Sequence, residues 1–331
     1  MSFLSSIALS TQGALAQGVL WGIMVLGVYI TYKLLDIPDL TADGSFTLGG
    51  CVCTVAILGG INPILATFLG ILAGAAAGAV TGILHTVFEI PAILAGILTQ
   101  IGLWSVNLRI MGGKANNPLL KTTSIISFVA EKTGLTQSQS SLIVGIVLAA
   151  AVILLLYWFF GTEIGSALRA TGDNPDMIRA LGVNIGHTKL IALSLSNALI
   201  GFSGAMVAQM QKYADINMGR GAIVIGLAAI VIGEVLLRRV KNFGMKLTSA
   251  VIGSMVYFVI QAYVLKMGLD PNDMKLLSAL LVALALAIPV AASKYRQKRS
   301  YVEYDLYAEQ RVQAEPIQKQ NGEDKTGGSV K

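Results

Sequence analysis

The sequence predicts an all-α, polytopic integral membrane protein with about nine transmembrane helices. Two observations predict it. Of 331 residues, 54% are hydrophobic and 13% charged, against about 25% charged in a soluble globular chain. The charge is also segregated. No side chain from Met1 to Tyr32 is charged, whereas Lys294–Lys331 is dense in Lys, Arg, Glu and Asp. Hydrocarbon excludes charge and water does not, so this asymmetry separates a membrane body (1–295) from a wet, partly disordered tail (296–331).

About 20 apolar residues at 1.5 Å rise cross a hydrocarbon core of roughly 30 Å. Spans of this kind are placed at 13–33, 48–61, 63–84, 91–111, 141–160, 188–211, 220–237, 246–265 and 276–293. Residues 1–12 lack the basic start of a secretory signal and read as an interfacial lead-in. Gly70, Gly74, Gly78 and Gly82 fall four apart among Ile, Leu, Ala and Val, which predicts one helix face packed tightly on another helix.

Orientation follows from the cations. Lys294–Arg299 holds four cations in six residues, and Leu237–Lys246 carries Arg238, Arg239, Lys241 and Lys246 with no acid. Both are expected on the cytoplasmic side, together with the C-terminus. Counting back two spans places Gly161–Lys189 there too. The 112–140 loop then lies outside despite Lys114, Lys121 and Lys132, and its KANNPLLKTTS and GLTQSQSS stretches read as loop.

Several functions are disfavoured. The net charge of +6 tracks the ends of apolar runs and forms no basic stripe with interleaved aromatics, so no nucleic-acid partner is expected. Cys51 and Cys53, two apart on a helix, point to different faces and predict neither a disulfide nor a metal site. With only His85 and His187, a histidine-based metal or catalytic cluster has no basis, and no catalytic residue is proposed.

The most informative segment is Gly161–Lys189, a polar loop of 29 residues between apolar spans. Glu163–Ala170 places Ile164, Ala167 and Leu168 on one helical face, and Gly172 offers a stop. Asp173 or Asn174 can cap a second helix opened by Pro175 and ended by Gly182. Met177, Ile178 and Leu181 give that helix an apolar side. Two short helices make a knob that fits a cleft on another protein, though composition alone fits a solvated connector equally well.

GSALRATGDNPDMIRALGV resembles the cytoplasmic coupling loop of ABC importer permeases of the ribose and branched-chain amino acid class. Gly165, Arg169, Ala170, Gly172, Asn174, Pro175, Arg179 and Gly182 match its pattern, while Ile178 and Val183 depart from it. Ile37–Gly50 looks like the polar break after the first span of that class. Gly226–Arg239 looks like another of its segments, with Glu234 replacing a glycine. The D-L-T-x-D-G-S-F wording is closest to permeases paired with receptor lipoproteins for aromatic amino acids. The resemblance implies a bacterial plasma-membrane permease with three partners: a second permease copy, a separate ABC ATPase and an extracytoplasmic substrate-binding lipoprotein. No G-x-x-x-x-G-K-[ST] phosphate loop is present, so ATP is expected to be used by the partner ATPase and no cofactor to be held by this chain. The ATPase-coupling residues implied are Gly165, Arg169, Gly172, Asn174, Pro175, Arg179, Leu181 and Gly182.

Polar side chains at membrane depth tend to face protein or a water path. Asp39, Thr41, Asp43 and Ser45 in the 36–50 break, with Gln100 and Asn107 seven apart on one face, are the expected substrate-pathway residues. Alanine at Asp43 or Gln100 is expected to change uptake more than assembly. Trp104 fits an interfacial anchor or a pathway aromatic. Asn197, Glu234 and Gln261 fit interhelical hydrogen bonds. A secondary, ion-coupled transporter is the alternative; it would show an internal inverted repeat and a buried ion-binding acid. No repeat is evident in the sequence. A membrane-embedded enzyme would need a clustered His, Asp or Glu site.

Overall fold

The computed structural model describes residues 3–120, 122–237 and 242–268, plus isolated positions between 273 and 287. The expected span at 276–293, the Lys294–Arg299 cluster, the charged tail 296–331 and Arg238, Arg239 and Lys241 lie wholly or largely outside these residues. Met1–Val282 packs as one unit.

The helices are α1 (Phe3–Tyr29, extended by a π-helical turn over Ile30–Leu34), α2 (Ala42–Leu58), α3 (Pro63–Thr86), α4 (Ala92–Ile110), α5 (Ile125–Thr133) and α6 (Gln137–Phe159). They continue as α7 (Glu163–Asp173), α8 (Pro175–Ala180), α9 (Ile185–Gln211), α10 (Ala222–Leu236) and α11 (Phe243–Lys266). Six of them, α1, α3, α4, α6, α9 and α11, are long and apolar enough to cross a membrane. β1 (Asn116–Pro118) and β2 (Tyr213–Asp215) form a short antiparallel pair that ties the two loops at one end of the molecule.

Several boundaries differ from the sequence reading, each for a local reason. α1 already begins at Phe3, so residues 3–12 are helix and not a lead-in. α6 opens at Gln137 because Thr136 and Gln139 make a reciprocal capping box, which turns the polar QSQSS run into a first helical turn. A second capping box, Ser124 with Ser127, starts α5 in the middle of the expected loop. The polar break is only Leu35–Thr41, and Asp43, Ser45, Gly49 and Gly50 belong to α2.

α2 and α10 are the short elements. At 1.5 Å per residue they reach about 26 Å and 22 Å, less than the ~30 Å hydrocarbon layer. Both start inside the bundle. The strap before α2 is pinned where the Asp39 carboxylate accepts from Asn197 Nδ2 at 2.6 Å, near the middle of α9. The strap before α10 is pinned to α2. Gly219 N donates to Thr47 Oγ1 at 3.1 Å, while Gly221 N and Ile223 N donate to the two Asp43 carboxylate oxygens at 2.9 and 3.0 Å.

Exchanging α1, α2 and α3 for α9, α10 and α11 maps one set of packings onto the other. The α1–α11 contact becomes α9–α3, and α2–α3 becomes α10–α11. α1 ends beside α7 and α9 starts beside α8, so the matched helices run in opposite directions. The sequence shows no such repeat, because it is carried by packing and not by residue identity.

The four-spaced glycines of α3 all face α9 or its neighbours. A Cβ on Gly74 would strike the Asn197 carbonyl, one on Gly78 the Leu193 carbonyl, and one on Gly82 would come within 3.1 Å of Leu190 Cα. In return Gly201 of α9 would lie 2.7 Å from the Gly70 carbonyl. This seam brings the two backbones into contact, as predicted. Gly74→Ala therefore forces the helices apart and should lower stability by ~1–3 kcal/mol, an overpacking cost. Gly102→Ala, on an open face of α4, should be neutral or slightly stabilising, since alanine favours helix. Thermal unfolding of the two purified variants checks this; equal melting temperatures would contradict it.

Candidate functional site

The straps before α2 and α10 bring two short helices N-terminus to N-terminus, and an open cleft of about 360 Å³ lies against them. Asp43, Gly44 and Thr47 of α2 line it, with Gln100, Trp104 and Asn107 of α4 and Arg220 of the strap. Gln100 and Ile101 are central in α4 (Ala92–Ile110), so the cleft is at the middle of the helical layer. The i, i+4, i+7 spacing of Gln100, Trp104 and Asn107 sets all three on one face.

Each wall has a cause. Gly44 lets α4 approach, since a Cβ there would be 2.9 Å from Leu103 Cδ1. Asn107 is 1% exposed and its Nδ2 donates to the Gly44 carbonyl at 3.5 Å, while its Oδ1 has no partner. Both oxygens of Asp43 are occupied by backbone N–H groups of the α10 start. Its negative charge is thus met by a helix N-terminus, where it is favoured. Asp43 is therefore as much a fastener between α2 and α10 as a wall of the cleft, and its replacement by alanine should not spare assembly as the sequence reading expects.

Of the six expected pathway residues, the structure brings Asp43, Gln100 and Asn107 together and leaves out Asp39, Thr41 and Ser45. These three are buried in the packing between α2, α3, α4 and α9. Asp39 accepts from Thr41 N and Asn197, and Thr41 Oγ1 meets Thr81 Oγ1 at 2.7 Å, which donates to Thr99 Oγ1 at 2.9 Å. The polarity of Asp39 and Thr41 serves interhelical hydrogen bonds, while Ser45 Oγ is buried without a partner. Glu234 likewise pairs with Lys33 at 3.0 Å. Trp104, 45% exposed, belongs to the cleft. Arg220 is the residue the sequence reading missed. Its signal was a single cation between two glycines at the head of an apolar run, Gly219–Arg220–Gly221.

The 161–189 loop lies at the end of the molecule opposite the β1–β2 pair. It holds α7 and α8, joined by Asn174, whose side chain accepts from Met177 N at 3.0 Å ahead of Pro175. Gly182, at φ 83°, ends the second helix as predicted. Gly172 is not a stop. α7 runs through it to Asp173, and a Cβ there would strike the Leu34 carbonyl at the end of the π-turn. Gly165 lies equally close to the Phe159 carbonyl, and Arg169 stacks over the Phe243 ring at 5.1 Å. α7 thus rests on the ends of α1, α6 and α11. Ile178, 5% exposed, packs inward and cannot be the docking anchor the sequence suggests; Leu181 at 71% and Met177 are the apolar side chains that project. Arg179 makes only a long, exposed contact with Asp176 at 3.9 Å. Cys51 and Cys53 are free and buried, in different clusters. No group of His, Cys, Asp or Glu among the described residues could hold a metal.

The chain matches known proteins over most of this architecture. A family model described as a branched-chain amino acid transport system permease component covers residues 10–291. The tyrosine transport system permease protein of Clostridioides difficile R20291 is 40% identical over 273 residues, 82% of this chain and 89% of the relative. The ribose import permease of Escherichia coli K12 is 23% identical over 267 residues, 80% of this chain and 81% of the relative. The inverted pairing alone would also fit an ion-coupled transporter, but the matches are to ABC-type permeases and give that alternative no support. The chain belongs to the branched-chain amino acid transport permease family, the membrane-spanning permease subunits of ABC importers.

Proposed function

We propose that this permease moves an amino acid, in particular an aromatic one, inward across the bacterial plasma membrane by alternating access. Two copies of the chain flank the pathway. A receptor lipoprotein delivers the solute outside, and a separate ATPase binds α7 and α8 inside. ATP is consumed by that ATPase, and this chain holds no cofactor. In the working topology the α7–α8 end and the C-terminus are cytoplasmic, and α2 and α10 complete nine spans with the α4, α6 and remaining long helices and the segment at 276–293.

The observation that carries this reading is the mid-layer cleft. A guanidinium, two amides and a carboxylate at that depth are unfavourable against lipid. They are accommodated if the open side of the cleft faces a second copy and a water-filled route. By contrast the outward faces of α6, with Val147, Leu154 and Trp158, are apolar and suit lipid. The tyrosine permease relative supports the choice of solute. Projection of Leu181 and Met177 supports the ATPase contact, because an exposed apolar pair beside a capped turn is what a groove on a partner takes up.

Two outcomes test it in reconstituted membranes holding the whole importer. Gln100→Ala should lower tyrosine uptake several-fold with an unchanged amount of assembled complex; unchanged uptake would remove Gln100 from the pathway. Leu181→Asp should abolish copurification of the ATPase, since a buried apolar anchor contributes roughly 1–3 kcal/mol, while the permease melts as before. Full copurification with receptor-stimulated ATP hydrolysis intact would place the contact elsewhere.

A further inference from the structure

We infer that the mid-layer cleft is a recognition site for the solute's charged backbone, with Arg220 binding the carboxylate and Asn107 Oδ1 accepting from the α-ammonium group. Trp104 then covers a bulky apolar side chain. The inference rests on the transport reading above and names the chemistry of its site.

Among the described residues Arg220 is the only cation lining the cleft, and the ion pairs lie elsewhere, at Lys33–Glu234 and Arg179–Asp176. Asp43 lines the same cleft but is held by Gly221 N and Ile223 N and forms no ion pair with Arg220. The cleft therefore presents an exposed guanidinium that is outside the described ion pairs and can take a ligand carboxylate. A guanidinium presents a planar fork that fits a carboxylate through two parallel hydrogen bonds.

Asn107 supplies the second, independent demand. Asn107 lines the cleft, and its Oδ1 is buried and accepts no hydrogen bond. A buried acceptor left unmade is costly, so the site awaits a donor. A ligand offering a carboxylate to one group and N–H donors to the other is a zwitterion. Trp104 lies one helical turn from Asn107 on the same face and is half-open to the cleft. Its indole ring is a surface for an aromatic or large aliphatic side chain. The volume is at the small end of ligand sites, which run from about 300 to 1,000 Å³, and so suits a single amino acid. A neutral polyol would leave the guanidinium unpaired.

The first measurement is ligand binding to the purified permease–ATPase complex without its receptor, by saturation-transfer NMR. Tyrosine should bind about tenfold more tightly than tyrosinamide, the effect of one charged hydrogen-bonded contact. Arg220→Gln should erase that difference, and Arg220→Lys should restore part of it. Equal binding of the two ligands to the wild type overturns the assignment. The second is tyrosine uptake by the complete importer. Arg220→Gln should cut it about tenfold while dimer mass and ATPase copurification stay as in the wild type. Unchanged uptake, or loss of the dimer in step with uptake, overturns the assignment by making Arg220 dispensable or an assembly contact. A wild type that binds tyrosine in the cleft yet imports no amino acid would overturn the transport reading instead.

Discussion

The Asp43 carboxylate accepts hydrogen bonds from Gly221 and Ile223, and so joins the first turns of two short helices. Inside a hydrocarbon layer each unpaired backbone group costs several kcal/mol. A helix that begins there leaves its leading N–H groups without carbonyls. α10 meets that constraint by borrowing a side chain from α2. The strap ahead of it borrows the Thr47 hydroxyl, and the strap ahead of α2 turns to Asn197 of α9 through Asp39. These bonds allow the chain to be interrupted twice at depth. The cleft exists because the two interruptions meet.

The parts of this arrangement that were legible in the sequence are those written in short windows. The Gly70–Gly82 stripe, the Asn174–Pro175 start of α8 and the Gly182 stop each depend on residues a few positions apart. What was not legible depends on partners far along the chain. Asp43 looked like part of a loop because the groups it caps are 178 and 180 residues away. Gly172 looked like a helix stop because nothing local reveals the Leu34 carbonyl against it. Ile178 looked like half of an exposed apolar stripe until packing turned it inward. Arg220 was read as the edge of a span because its depth follows from Thr47 and Asp43, on a different helix. Sequence could not divide the polar residues of the break into those that hold helices together and those that face open space.

A continuous line of contacts runs from the loop at one end to the cleft. α7 abuts the end of α1 at Gly172 and Leu34, next to Lys33. Lys33 grips Glu234 near the end of α10. The start of α10 is held by Asp43 and carries Arg220 just before it. Because Gly172 meets backbone and not a flexible side chain, α7 has little slack against α1, and close-packed interiors transmit displacement in the same way. The π-turn at Ile30–Leu34 is the one departure from regular α-helix along this line, and such turns frequently mark functional positions.

The pairing of α1 with α11 has a consequence for how the protein is made. Ser254 donates to the Gly18 carbonyl across 236 residues of sequence. At 5–20 residues per second of synthesis, α1 enters the bilayer some tens of seconds before its partner exists. Until then its neighbours are lipid and the earlier-made helices α6 and α9. A first segment with no charged side chain before Lys33 is suited to that interval, because lipid can solvate nearly all of it. The uncharged stretch of α1 thus suits an interval of biogenesis that the finished bundle no longer displays.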